Sequence, residues 1–85
     1  MRSKDSNIWR VNVWANRMGF RTESSFEINS NVWIVRLHVW GGYAMDVRVG
    51  SFFVQVGKTC CTGRQLIETL EREVHAIAGG RVYRL

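Results

Sequence analysis

The sequence contains no proline and only two cysteines, Cys60 and Cys61, which are neighbours in the chain. Adjacent Cα atoms lie about 3.8 Å apart, which is closer than a disulfide ordinarily allows. Two thiols are also too few for a structural zinc site, and no histidine lies nearby at ligand spacing. We therefore expect reduced, partly buried thiols, no bound metal and no cofactor.

Long apolar runs are also missing. No stretch approaches the roughly 18 apolar residues of a membrane span, and residues 1–5 are not followed by the apolar core of a signal peptide. Hydrophobic residues make up 46% of the chain and the net charge is +5, from 12 basic and 7 acidic residues, which disfavours intrinsic disorder. We expect one soluble, cytoplasmic domain over residues 1–85.

Alternation of apolar and polar residues dominates residues 8–56 and predicts five strands with one apolar face each. The side chains predicted to face the core are Trp9, Val11, Val13 and Ala15; Phe20, Thr22, Phe26 and Ile28; Trp33, Val35, Leu37 and Val39; Tyr43, Met45, Val47 and Val49; and Phe52, Val54 and Val56. The side chains between them are predicted to face outward.

Short polar or glycine-containing segments separate these runs and predict the turns of an antiparallel meander. The predicted turns are Met18-Gly19, Ser30-Asn31, a three-residue loop at Gly41-Gly42-Tyr43, and Gly50-Ser51. They place Ile28 opposite Trp33, Leu37 opposite Val47, and Val47 opposite Val54, so that core residues oppose core residues.

After Gly57 the apolar period becomes helical, and Gly57-Lys58-Thr59 is interpreted as a connection from strand to helix. Thr62 and Gln65 have the spacing of a capping box. Apolar residues then follow at helical spacing up to Gly79-Gly80: Leu66, Ile67, Leu70, Val74 and Ile77.

The predicted fold class is therefore α+β. A four- to five-stranded antiparallel sheet over residues 7–57 packs on one C-terminal helix over residues 62–78. Residues 79–85 form a tail or a short edge strand.

The outward side of this predicted sheet combines arginine with tryptophan. Arg36 would lie opposite Arg48, and two opposed arginines repel unless an anion or a partner's carboxylate lies between them. Since large exposed aromatic patches usually mark interaction sites, we predict a partner-binding surface here. Its residues are Arg10, Trp14, Arg21, Arg36, His38, Trp40, Asp46 and Arg48.

Other interpretations of this surface stay open. It could be covered by the tail or by a second copy of the chain, as a homodimer. It could bind nucleic acid, with arginines on phosphates and Trp14 and Trp40 stacking on bases. Catalysis is not favoured: His38 is predicted near Asp46 and Glu23, with Ser25 on the same side, but a flat sheet offers no pocket or oxyanion hole. We therefore expect a protein that is not an enzyme.

A compact, strand-rich chain of this size, without an enzymatic constellation, resembles the small inhibitors that phages and mobile elements encode against bacterial defence, notably anti-CRISPR proteins. The resemblance implies an inhibitor that binds a bacterial protein or nucleoprotein complex, such as a CRISPR effector, in the cytosol of the host bacterium. The net charge of +5 departs from the acidic members that mimic DNA. A basic inhibitor is expected to engage an acidic protein patch, or protein and exposed nucleic acid together.

Overall fold

A computed structural model describes residues 3–77, which form two helices and one antiparallel sheet. The helices are α1 (Ser3–Met18) and α2 (Leu66–Ile77), and the strands are β1 (Arg21–Glu27), β2 (Val32–His38), β3 (Ala44–Val49), β4 (Val54–Val56) and β5 (Thr59–Cys61). The strand order β1-β2-β3-β4-β5 follows the chain, so every strand pairs with its neighbour in sequence. The α+β class and the antiparallel meander are confirmed.

Both helices pack against the same side of the sheet and form one core with it. The sheet contributes alternate residues, because successive side chains of a strand point to opposite faces. The buried side chains on this side are Val35, Leu37, Met45, Val47, Val49, Val54 and Val56 from the strands, Val11, Trp14 and Ala15 from α1, and Leu66, Leu70 and Val74 from α2. The opposite side of the sheet is covered by no element among residues 3–77.

The prediction of a strand over residues 8–16 is wrong, since these residues belong to α1. The segment is compatible with the strand period and with the helix period. Its apolar residues alternate, but Val11, Ala15 and Met18 also follow helical spacing. Val11 and Ala15 are fully buried, whereas Trp9, the first predicted core residue, is 62% exposed. Short apolar runs are ambiguous in this way, and here packing on the sheet favours the helix. The sheet accordingly begins at Arg21.

Gly19 ends α1 and does not form a hairpin turn. Its φ of 80° lies in the left-handed region that glycine adopts without steric cost. The Gly19 amide donates to the Asn16 carbonyl at 3.1 Å, and the Phe20 amide donates to the Ala15 carbonyl at 2.8 Å. These two bonds form a Schellman motif, which satisfies carbonyls at the end of the helix.

The predicted pairings of the strands are each displaced by two residues. Trp33 lies opposite Phe26 and not Ile28; Leu37 lies opposite Met45 and not Val47; Val47 lies opposite Val56 and not Val54. The turns are correspondingly centred one residue away from the predicted positions; the three-residue loop, for example, is Trp40–Gly42, closed by the Val39 amide on the Tyr43 carbonyl. A shift of two residues keeps each side chain on its face, so the buried sides of β2 and β3 agree with the prediction.

The strand β5 follows a tight turn at Gly57-Lys58 and pairs with β4. Gly57 has a φ of 59°, which suits a two-residue hairpin. The segment Gly57-Lys58-Thr59 is therefore a hairpin turn and the first residue of β5, and not a connection from strand to helix. Both thiols are free: Cys60 is exposed and Cys61 is half-buried.

The C-terminal helix matches its prediction over the described residues. The Gln65 amide donates to Thr62 Oγ1 and the Thr62 amide donates to Gln65 Oε1, both at 3.2 Å, so the capping box is confirmed. One 3₁₀ turn, Gly63–Gln65, leads into α2. The predicted helix end at Gly79-Gly80 and the predicted tail or edge strand over residues 79–85 lie outside the described residues.

Candidate protein-binding face

The uncovered side of the sheet, called the open face below, is built from the alternate residues that point away from both helices. Its members are Arg21, Glu23, Ser25 and Glu27 of β1; Val32, Ile34, Arg36 and His38 of β2; Ala44, Asp46 and Arg48 of β3; Gln55 of β4; and Cys60 of β5. This face has three arginines and three carboxylates, so its formal charges balance when histidine is neutral.

Arg36 and Asp46 form the central ion pair of the open face. Arg36 Nε donates to Asp46 Oδ1 at 2.8 Å and Arg36 Nη2 donates to Asp46 Oδ2 at 3.2 Å. The side-by-side geometry matches the fork of the guanidinium to the two carboxylate oxygens. These hydrogen bonds, and then the charge of Asp46, raise the pKa of Arg36.

Glu27 and Arg48 form a second ion pair near the β1–β2 turn. Arg48 Nη2 donates to Glu27 Oε1 at 3.0 Å, and Ser30 Oγ donates to the same carboxylate oxygen. The hydrogen bond from Ser30 and then that from Arg48 lower the pKa of Glu27 below its ordinary value. The carboxylate is thereby held charged beside Arg48.

His38 and Arg21 occupy opposed positions at the other end of the open face. His38 Nε2 lies 3.5 Å from Glu23 Oε1, and this nitrogen is shielded from solvent without a hydrogen-bond partner among the described residues. Arg21 forms no salt bridge with any residue in the range 3–77. Within the part of the chain that the structure describes, it is the arginine of the open face that forms no ion pair.

The predicted repulsion between Arg36 and Arg48 does not exist. Because β2 and β3 pair two residues away from the predicted register, Arg36 faces Asp46, and Arg48 faces Ile34. For the same reason His38 faces Ala44 and not Asp46, and the catalytic constellation considered above is not assembled. The open face consequently has no concentration of positive charge.

Three of the eight predicted site residues lie elsewhere. Trp14 is 7% exposed and belongs to the core, because residues 8–16 are helical. Trp40 belongs to the loop that joins β2 and β3, and its ring packs edge-on against Phe20 at 4.7 Å between centroids. Arg10 lies on α1 and donates to the Gly63 carbonyl at 2.7 Å. The other five, Arg21, Arg36, His38, Asp46 and Arg48, lie on the open face.

A pair of phenylalanines at the β3–β4 turn was not among the predicted site residues. Phe52, predicted to face the core, is 99% exposed, and Phe53 is 41% exposed. The Phe53 ring packs over Gly50, where it leaves no room for a Cβ. A small cavity of about 200 Å³ separates this turn from the β1–β2 turn, so the two hairpin ends are neighbours. The signal in the sequence is two adjacent phenylalanines in a turn, where apolar residues are out of place.

Neither a metal site nor a membrane span was found in the described part of the chain. Residues 3–77 contain no group of three or more metal-ligating side chains. No helix within that range has the length and apolar character needed to cross a membrane. Comparisons of the chain with protein-family models, with curated proteins and with solved structures found no match.

Proposed function

We propose that the chain is a non-enzymatic binding protein that covers a surface of a partner protein with its open face and with Phe52. The observation that carries this proposal is the combination of a charge-balanced, uncovered sheet face with a fully exposed phenylalanine at its end. Protein interfaces commonly combine an aromatic anchor with polar and charged surroundings.

The balance of charge favours a protein partner over nucleic acid. A nucleic-acid binder gains most of its affinity by neutralising phosphates with unpaired Lys and Arg. Here Arg36 and Arg48 are already bound to carboxylates, and Glu23 lies among them. A phosphate backbone laid on this face would meet as many carboxylates as guanidinium groups.

Phe52 supplies the apolar part of the contact. Its side chain is exposed in the free protein, and burying a phenylalanine contributes about 1.5–3 kcal/mol. Phe53 and Gly50 hold the turn beneath it by close packing. The position suits a residue that enters a pocket on a partner, with the ion pairs of the open face lying against polar groups around that pocket.

The resemblance to small phage-encoded inhibitors supplies the first partners to test. We propose an anti-CRISPR-like inhibitor that binds and blocks a functional surface of a bacterial defence complex in the host cytoplasm. A small basic nucleic-acid-binding protein is the alternative, and the same experiment separates the two.

The experiment measures binding of the chain to purified CRISPR effector complexes by biolayer interferometry, together with their nuclease activity. Phe52→Ser and the exchange Arg36→Glu with Asp46→Arg are expected to weaken binding at least tenfold, and the exchange preserves an ion pair within the sheet. Arg72→Glu, on the exposed side of α2, is the matched control and should bind like the parent chain.

Failure to bind any such complex would reject the anti-CRISPR-like role. Binding that survives both changes on the open face would reject the proposed surface. The alternative is tested by fluorescence anisotropy with labelled single- and double-stranded oligonucleotides. Binding that falls steeply with salt and is lost on Arg36→Glu with Arg48→Glu would support it and contradict our choice.

A further inference from the structure

Among the described residues, the strand β1 forms one edge of the sheet. It is seven residues long, and six of these residues are exposed while Thr22 is half-buried. Its backbone pairs with β2 on one side only, and no described residue pairs with the other side. An edge with unpaired amide and carbonyl groups is a template for another strand. The opposite edge, β5, offers only three residues.

The sequence of β1 is complementary to itself when two copies run antiparallel. Centred on Ser24, the pairing places Arg21 opposite Glu27, Thr22 opposite Phe26, and Glu23 opposite Ser25 of the second copy. Opposite charges at facing positions stabilise an antiparallel pair. Two such pairs form by symmetry, and they involve Arg21, which has no carboxylate partner among the described residues of its own chain.

Neighbouring registers are less favourable. Centring the pair on Glu23 would place that carboxylate opposite its own copy, and centring it on Ser25 would place Glu23 opposite Glu27. Both arrangements oppose like charges, which is destabilising. A register centred between two residues would place a side chain of the open face opposite a side chain of the helical face. Opposed side chains of paired strands must lie on the same face, so such a register is excluded. The register about Ser24 also uses all seven residues.

Exposed aromatic side chains lie beside this edge on the helical side of the sheet. A groove of about 390 Å³ runs between α1 and the sheet and is lined in part by Trp9, Ser24 and Trp33. Trp9 is 62% exposed and Phe26 is 41% exposed, with its ring 5.3 Å from that of Trp33. Because Ser24 lines the groove, a twofold axis at Ser24 would bring the two copies of Trp9 towards each other.

We propose that the chain forms a symmetric homodimer in which β1 pairs antiparallel with β1 of a second copy about Ser24. The two sheets join into one, and Trp9 and Phe26 of both copies become covered. The twofold axis is perpendicular to the joined sheet, so both open faces point the same way and stay accessible. This assembly does not depend on the function proposed above, and it would present two binding faces to one partner.

The test is sedimentation equilibrium of the full chain and of three variants, with circular dichroism to verify folding. Arg21→Glu alone and Glu27→Arg alone each create like-charge pairs across the axis and should weaken dimerisation at least tenfold. An equimolar mixture of these two variants should recover a heterodimer, because position 21 of each variant then faces the opposite charge at position 27 of the other. Trp9→Ala should weaken the dimer without unfolding the chain.

The mixture distinguishes loss of an ion pair across the twofold axis from destabilisation of the single subunit. Mixing the two variants restores the ion pair but cannot restore the stability of a subunit. A parent chain that stays monomeric at millimolar concentration would overturn the proposal. A dimer whose dissociation constant is unchanged by Arg21→Glu, or a mixture that stays monomeric, would also overturn it and place any association on another surface. Because no partner protein is used, these outcomes are independent of the proposed function.

Discussion

Arg36 and Asp46 lie directly opposite each other on β2 and β3 and are joined by two hydrogen bonds across the open face. The pair occupies the middle of the sheet, with Glu23 opposite Arg36 on its other side. Cross-strand pairs of opposite charge stabilise a sheet, whereas like charges at the same positions destabilise it. Variants of this pair therefore test its contribution to the stability of the sheet.

Reversing one charge of this pair should lower the midpoint of thermal unfolding, and reversing both should restore it in part, because position 36 then carries the same charge as Glu23 opposite it. Arg36→Glu places three carboxylates side by side, from Glu23 to Asp46. Adding Asp46→Arg recreates the attraction with the partners exchanged. Differential scanning fluorimetry of the two variants checks this; an exchange variant no more stable than the single variant would contradict the role assigned to the ion pair.

Trp14→Ala and Trp9→Ala should differ sharply in their cost to stability, although the two residues share a helix. Trp14 is buried against Phe20, with 5.8 Å between ring centroids, and its loss should cost about 3–5 kcal/mol. Trp9 is mostly exposed, and its removal should cost about 1 kcal/mol or less. Urea unfolding at low protein concentration measures both. A strand over residues 8–16 would give the reverse order.

Gly19→Ala should destabilise the chain by about 1 kcal/mol, because an alanine at a φ of 80° adopts an unfavourable left-handed conformation. The cost is conformational, since a Cβ at this position would meet no atom within 4 Å. Gly19→Asn is the control: asparagine tolerates this conformation better and should lose less. Equal losses in urea unfolding would argue against a left-handed helix end.

Glu27→Gln should reduce stability at neutral pH but not in acid. The pKa of Glu27 is lowered in the folded chain, so its charged form stabilises the fold above the ordinary value of 4.5. That contribution is lost as the pH falls through the lowered pKa. The difference in unfolding free energy between parent and variant should shrink over this acidic range. A difference that does not change with pH would contradict the ion pair with Arg48.

The sequence predicted which side of each central strand is buried, but it did not predict the register. Apolar alternation has a period of two, so it cannot distinguish pairings that differ by two residues. Leu37 is buried whether it faces Met45 or Val47. The identity of the residues facing Arg36 and Arg48 depends on this choice, and the ion pairs could not be predicted without it.

The first helix shows a second limit of the sequence pattern. In residues 8–18 the strand period and the helix period coexist, and only the sheet beneath α1 decides between them. Gly19 is compatible with a hairpin turn and with a helix end. This one ambiguity placed Trp14 on the surface and Trp9 in the core, whereas the structure has the reverse. The C-terminal helix had a capping box and a single apolar stripe, and its prediction is confirmed.

The candidate site was predicted in part. The five predicted residues that lie on β1–β3 share the open face, because alternation alone determines that property. Phe52 was missed because it continues the apolar alternation, and such a residue looks like a core residue unless the position of the β3–β4 turn is known. Phe52, which we propose as the apolar part of the contact, thus lies where the alternating pattern ends.

The order of the strands along the sheet has a consequence for folding kinetics. Each strand pairs with the strand next to it in sequence, and the connecting turns are short. Closing a short loop costs little chain entropy, so each hairpin can form before distant parts of the chain meet. The contacts between α1 and α2 join opposite ends of the described chain, so they carry a larger loop-closure cost than the hairpins do. A chain in which the helices are undocked would expose Val35, Leu37 and Val47, and exposed apolar strands promote aggregation.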